Sequence, residues 1–439
     1  MKNLKAVLLA AGDSGRIWPV EDKLFLKFRN IPLIQHSLNQ LFSHGINDFY
    51  IVASRKNELR CRQIMEYNSK MKIKVVVQKN IRGIAGAVLS VRDEIRNHPV
   101  LIVGPTDIFE NYLIKEFMLL LKQNPQGILV GKRLNSYAPL GYLSFNKDIV
   151  TGIMEKPPPE KIKSDIASIV FDYYSQGDSV IKAIEGVSSK GDDLYEKAKD
   201  SLISRGFVFK LITYTGYWGY LKYPWHVLDL TSYYLTGVKK NLNNANIHPS
   251  AVIVGEVFME DSVRILENVK ILGPAFIGRG SIVGQNCLIR ESMIGQNSVM
   301  GFSSEIARSY IGNNCWFHSN YIGDSTVLDN CAFGSGAVVA NYRLDGKIIK
   351  SDIEGIMKES GRTKLGVAVG RNCRIGINVS LMPGVKIGSN TFIGSSMIVD
   401  KDIKDDKFMQ YKNGKVKIIN NKIKLGQVSI ENNRPYLKY

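Results

Sequence analysis

Short β-branched runs alternate with amphipathic stretches over residues 1 to about 240. Residues 5–10, 49–53, 73–77, 100–103 and 128–130 carry the continuous apolar character of buried strands, and 34–43, 57–67, 85–97 and 111–122 repeat apolar positions at helical spacing. Strand–helix alternation of this kind predicts a mostly parallel sheet covered by helices, a doubly wound α/β domain over residues 1–240.

Past about residue 245 a shorter beat replaces the helical one. Val369-Gly370, Ile375-Gly376, Ile387-Gly388 and Ile393-Gly394 recur every six residues with Leu381 filling the missing beat, and the same unit stands at Ile277-Gly278, Val283-Gly284 and Ile311-Gly312. A branched aliphatic at every sixth position, with a small residue four further on, predicts a parallel β-helix over residues 245–400 whose coils stack in register. A polar, Lys-rich insertion interrupts it at 343–365, and residues 401–439 read as a basic tail. Cys287, Cys315, Cys331 and Cys373 each follow an aliphatic by four residues, the small inward position, where a free thiol behaves as a small hydrophobe. With Cys61 they make an odd, widely spaced set without CxxC, which predicts neither a disulfide framework nor a structural metal.

A length of 439 residues exceeds what one core serves and fits two domains. Lys plus Arg exceed Asp plus Glu by 58 to 40, a formal charge of +18, so anionic partners are expected: phosphorylated metabolites, nucleic acid or an acidic membrane surface. No basic helix or aromatic-interleaved patch supports nucleic acid, and no run approaches the roughly 18 apolar residues of a membrane span. The apolar run 4–11 is too short for a secretion signal, and a cytoplasmic protein is expected.

The first strand ends in Leu9-Ala10-Ala11-Gly12-Asp13-Ser14-Gly15-Arg16, a glycine-containing turn of the kind that offers backbone N–H groups to phosphates, and Lys23 follows. Here the chain resembles the sugar-1-phosphate nucleotidylyltransferases, and among them the bifunctional GlmU-type enzymes that also carry a hexapeptide-repeat amino-sugar-1-phosphate acetyltransferase. The resemblance runs to about residue 400. It implies a Rossmann-like nucleotidyltransferase domain followed by a left-handed β-helix. It assigns Ala10, Ala11, Gly12, Gly15, Arg16 and Lys23 to the nucleoside triphosphate, Gln78 and Gly83 to the base, Asp107 to Mg²⁺, and Gly141, Glu155 and Ser168 to the sugar phosphate. Attack of a sugar phosphate on the α-phosphate of UTP or dTTP calls for charge neutralisation and alignment, which a metal and cations provide. The pattern departs at Gly15, Asp22, Ile84 and Thr106, and Tyr220 stands where many members have a second metal-binding Asp.

A second set, His318, Tyr321, Asn341 and Lys347, has intervals that resemble the acetyltransferase half, with Ala332 where an Asn is usual. Acetyl transfer from a thioester needs a neutral amine, hence a base with a pKa near 7. The resemblance makes His318 that base, gives Tyr321 and Lys347 to the acceptor's phosphate and Asn341 to its sugar, adds Lys350 and Arg308 as further cations, and aligns Ser335 and Ile377 with the acetyl-CoA groove of a homotrimer. The expected function is N-acetylation of an amino-sugar 1-phosphate, gluco or galacto, followed by nucleotidyl transfer to the product. Two other readings stay open: an acetyltransferase with an inactive first domain, and a non-catalytic subunit that binds a nucleotide.

Overall fold

The computed structural model describes residues 4–79, 83–134, 137–138, 140–162, 164–189, 191, 193–423 and 425. The chain forms two compact units: Met1–Asp13 with Leu33–Tyr220, and Ser14–Pro32 with Leu221–Tyr439.

The first unit is a nine-stranded sheet flanked by helices. Its order is Lys72–Val77, Asp48–Ala53, Lys5–Ala10, Val100–Val103, Ile166–Tyr174, Gly127–Arg133, Phe209–Tyr214, Ile149–Glu155, Gly141–Asn146. The first four strands run parallel, but Ile166–Tyr174 enters antiparallel to both its neighbours. The sheet is therefore mixed, where strand–helix alternation alone predicts a mostly parallel one. Residues 85–97, read as one helix, form two, Gly83–Leu89 and Arg92–Ile95. Helix Leu194–Ser204 is pinned to the sheet by a buried charge pair, Lys199 Nζ donating to Asp172 Oδ2 at 3.0 Å, with the Tyr195 hydroxyl donating to the same oxygen at 2.9 Å. Removing one partner of such a pair costs about 3–5 kcal/mol, because the other charge is left buried alone.

The second unit is a parallel β-helix whose three faces are sheets of ten, eight and seven strands. Apolar residues of the six-residue beat, such as Val283, Met300, Phe317, Phe333, Ile375 and Ile393, stack in one interior column and are buried. The small position four residues after Ile277, Ile294 and Ile311 forms a second column. There the N–H of Ser298 donates to Ser281 Oγ and that of Cys315 to Ser298 Oγ, while the Ser298 and Cys315 side chains donate to the Gly312 and Leu328 carbonyls. Each coil thus satisfies the buried polar groups of the next. All four cysteines of the repeat are buried and unpaired, as their spacing predicts.

In the insertion, the hairpin Lys350–Ile353 with Ile356–Glu359 follows Ile349. Ile349, Ile353 and Leu365 share a buried cluster with Trp225 and Leu228. Residues 401–425 include a second hairpin, Lys407–Lys412 with Lys415–Asn420. Segment Ser14–Pro32 also packs on the β-helix unit. Phe28 stacks on Tyr234 at 4.9 Å between ring centres, the Lys27 N–H donates to the Tyr310 hydroxyl at 3.3 Å, and the Trp18 indole donates to Asp405 at 3.1 Å. Among the described residues no helix is long and apolar enough to cross a membrane.

Candidate functional site

In the β-helix each corner residue stacks on its counterpart one coil away. Two neighbouring corners carry the residues singled out from sequence. At the first, His318-Ser319 lies below Gly334-Ser335, the Gly336 N–H donating to the Ser319 carbonyl, and Ser335 lies below Ile377, the Asn378 N–H donating to the Ser335 carbonyl. Ser319, Ser335 and Ile377 therefore share one column, and His318 lies next to it on the column of Gly334 and Gly376. The inward Asn320 anchors this corner: its Oδ1 accepts the His318 N–H, and its Nδ2 donates to the carbonyls of Gly334 and Ala337 at 2.8 and 2.9 Å. The His318 ring stacks on Trp316, 5.6 Å between centres and 20° from parallel. Partial burial lowers its pKa below the usual 6.5, so the ring is neutral at pH 7 and able to take a proton.

The second corner stacks Arg308, Asp324 and Asn341 on successive coils. Arg308 grips Asp324 with two bonds of 2.7 Å, Nε to Oδ1 and a terminal nitrogen to Oδ2. Asn341 Nδ2 donates to Asp324 Oδ2 at 2.5 Å and to the Tyr321 hydroxyl at 3.1 Å. Tyr321 and Asn341 are thus together. Arg308, expected as a cation for the substrate, is committed to a carboxylate. Lys347 and Lys350 lie apart from both corners in a cleft of about 460 Å³ that Arg343, Glu359 and Thr363 also line, and Lys350 pairs with Glu359 at 3.3 Å.

Asp324, Gly323 and Asn320 carry this arrangement without having been assigned a role from sequence. The available signal is coil arithmetic, since Asp324 stands 16 residues after Arg308 and 17 before Asn341.

In the first unit, strand Asp107–Phe109 pairs antiparallel with Trp218–Tyr220, and Tyr220 is directly opposite Asp107. The Trp218 indole donates to Asp107 Oδ1 at 3.0 Å. The other carboxylate oxygen lies over Gly104, where a Cβ would approach it to 2.4 Å. Gly104, three residues before Asp107, is thus the glycine over which this carboxylate packs. Gly141 and Glu155 are cross-strand partners, and a Cβ on Gly141 would lie 3.9 Å from Ser168, so the three sugar-side residues meet. Gln78 Nε2 donates to the Gly83 carbonyl at 3.1 Å, which joins the two base-side residues. Ala10 ends the first strand and Ala11 and Gly12 follow it in this unit, whereas Gly15, Arg16 and Lys23 belong to the other.

Residues 5–218 match the nucleotidyl transferase family model and residues 366–396 that of the bacterial transferase hexapeptide (six repeats). A Sulfurisphaera tokodaii bifunctional sugar-1-phosphate nucleotidylyltransferase/acetyltransferase is 30% identical over 93% of this chain and 100% of its own length. The bifunctional protein GlmU of Methanocaldococcus jannaschii is 31% identical over 92% and 97%. The apo UDP-glucose pyrophosphorylase structure superposes on 53% of this chain and 98% of its own with a TM-score of 0.47 and 17% identity. With a sheet unit and a β-helix in the order of relatives matched end to end, the chain belongs to the bifunctional sugar-1-phosphate nucleotidylyltransferase/acetyltransferase family.

Proposed function

We propose that this chain N-acetylates an amino-sugar 1-phosphate, glucosamine or galactosamine 1-phosphate, with acetyl-CoA, and then transfers a nucleotidyl group from UTP or dTTP to the product. The supporting observation is the pair of neighbouring β-helix corners: a neutral His318 next to the column of Ser319, Ser335 and Ile377, with Tyr321 and Asn341 at the following corner. His318 takes a proton from the substrate ammonium group. The amine then attacks the thioester carbonyl, the C–N bond forms, the C–S bond breaks, and the second proton that the nitrogen sheds passes to the departing thiolate, so coenzyme A leaves as its thiol. Lys347 and Lys350, with Arg343, line a cationic cleft suited to a phosphate.

In the second reaction the sugar phosphate attacks the α-phosphate and pyrophosphate leaves. Mg²⁺ is commonly held by one or two carboxylates with substrate phosphates supplying the rest. Asp107, fixed by Trp218 and faced by the neutral phenol of Tyr220, fits a one-carboxylate site of that kind. Bound there, the ion would neutralise charge on the phosphates. Glu155, Gly141 and Ser168 hold the sugar phosphate, and Gln78 and Gly83 the base. We further assign a homotrimeric, cytoplasmic enzyme with acetyl-CoA between neighbouring β-helices, in keeping with the hexapeptide match.

Free-thiol release with glucosamine 1-phosphate and acetyl-CoA, followed by pyrophosphate release on adding UTP and Mg²⁺, tests both steps. Thiol without pyrophosphate, with dTTP and the galacto acceptor also tried, would favour the second reading that Tyr220 suggests: an acetyltransferase whose first unit no longer catalyses.

A further inference from the structure

We propose that Asp324, a positioning residue that touches no substrate, fixes the hydrogen-bond polarity of the acetyl-acceptor pocket through Asn341 and Tyr321. The proposal rests on the acetyl-transfer reading and deepens it.

Asp324 is buried and held by both nitrogens of the Arg308 fork. A carboxylate so paired can only accept hydrogen bonds, so the Asn341 atom facing it must be the amide nitrogen. Nδ2 has two hydrogens, and both are used: one goes to Asp324 Oδ2, the other to the Tyr321 hydroxyl oxygen. Asn341 therefore keeps Oδ1, an acceptor, for the substrate. Tyr321, having accepted, keeps its O–H to donate. The pocket so wired offers an acceptor to an amine N–H and a donor to a phosphate oxygen. That is the pattern of a neutral amino-sugar 1-phosphate, and an acceptor with a hydrogen-bond acceptor in place of the amine would meet Asn341 lone pair to lone pair.

Gly323 supports the same wiring sterically. A Cβ there would lie 2.6 Å from both Asn341 Nδ2 and the Tyr321 hydroxyl oxygen, so only glycine leaves room for the two groups to meet.

The inversion is testable. In Asp324→Asn the new amide can donate to Asn341 Oδ1 and turn the Asn341 amide over, presenting NH₂ to the substrate. Acetyl-transfer kcat/KM is expected to fall about 10²-fold through misplacement of a positioning contact. The KM for the amino-sugar phosphate should rise while that for acetyl-CoA holds, and nucleotidyl transfer reports that the chain is folded. The exchange Asp324→Asn with Asn341→Asp restores an acceptor toward the substrate and is expected to recover about tenfold over Asp324→Asn, since a good hydrogen bond to a charged group is worth about 1.5 kcal/mol or more. Gly323→Ala keeps every polar group, displaces Asn341 and Tyr321, and should raise the same KM, which decides the matter if Asp324→Asn does not fold. Wild-type kinetics in Asp324→Asn or in Gly323→Ala, equal increases in both KM values, or an exchange variant no better than Asp324→Asn would overturn the proposal alone. A wild-type chain that acetylates neither epimer would overturn the activity and the proposal together.

Discussion

Asp324 in the β-helix and Asp107 in the sheet unit are both carboxylates at the centre of a candidate site, and their surroundings give them opposite uses. Asp324 is buried, neutralised by Arg308 and capped by the Asn341 amide, so its charge organises neighbours. Asp107 is only half-buried, and its Oδ1 accepts from the neutral indole of Trp218. A carboxylate already paired with a guanidinium has little left to offer a cation, whereas one oriented by a neutral donor keeps its full charge for a metal.

The largest expected effect attacks the β-helix site alone. His318→Ala should lower acetyl transfer by about 10²–10⁴-fold, the usual worth of a general base, and leave pyrophosphate release unchanged. The mirror experiment, Asp107→Ala, should cut pyrophosphate release by about 10²–10³-fold, comparable to losing one preorganised electrostatic contact, with acetyl transfer intact. Gly104→Ala is a gentler version. Its Cβ would meet Asp107 Oδ2 at 2.4 Å, and the displaced carboxylate should lose about tenfold in pyrophosphate release with a raised Mg²⁺ requirement. Acidification distinguishes the two sites further. Because burial lowers the His318 pKa, its base form persists below the usual 6.5 and is lost as pH falls through the shifted value. Acetyl-transfer kcat/KM should therefore decline only on that acidic limb, and pyrophosphate release should not follow it. Tyr220→Asp, the smallest effect, should reduce the Mg²⁺ concentration needed for half-maximal pyrophosphate release by about threefold, by adding a second carboxylate opposite Asp107.

Much of this architecture is legible in the chain because its periods are local. The six-residue beat names the buried column directly, and His318, Tyr321 and Asn341 fall on adjacent corners because coil length converts sequence interval into stacking. Strands Lys5–Ala10 and Val100–Val103 have the bounds their apolar runs suggest. Long-range pairing left no such trace. Nothing in the run 166–174 says that it will enter the sheet antiparallel between two strands, and nothing near Arg308 says that its partner is a carboxylate one coil on. The cluster of Gly141, Glu155 and Ser168 has no local motif to announce it, since its members come from three strands.

The chain leaves its first unit at Asp13 and rejoins it at Leu33, with Ser14–Pro32 packed on the β-helix unit between. No single cut therefore divides this polypeptide into its two units. A β-helix fragment started at Leu221 would lose the partner of the Tyr234 ring, the amide that meets Tyr310 and the indole bound by Asp405. A gene fusion or crossover at one point would likewise leave one unit holding the other's piece. Expression of the β-helix half is expected to require residues 14–32 as an added peptide or a circularly permuted chain, and exchange of either half between relatives must carry that segment with it.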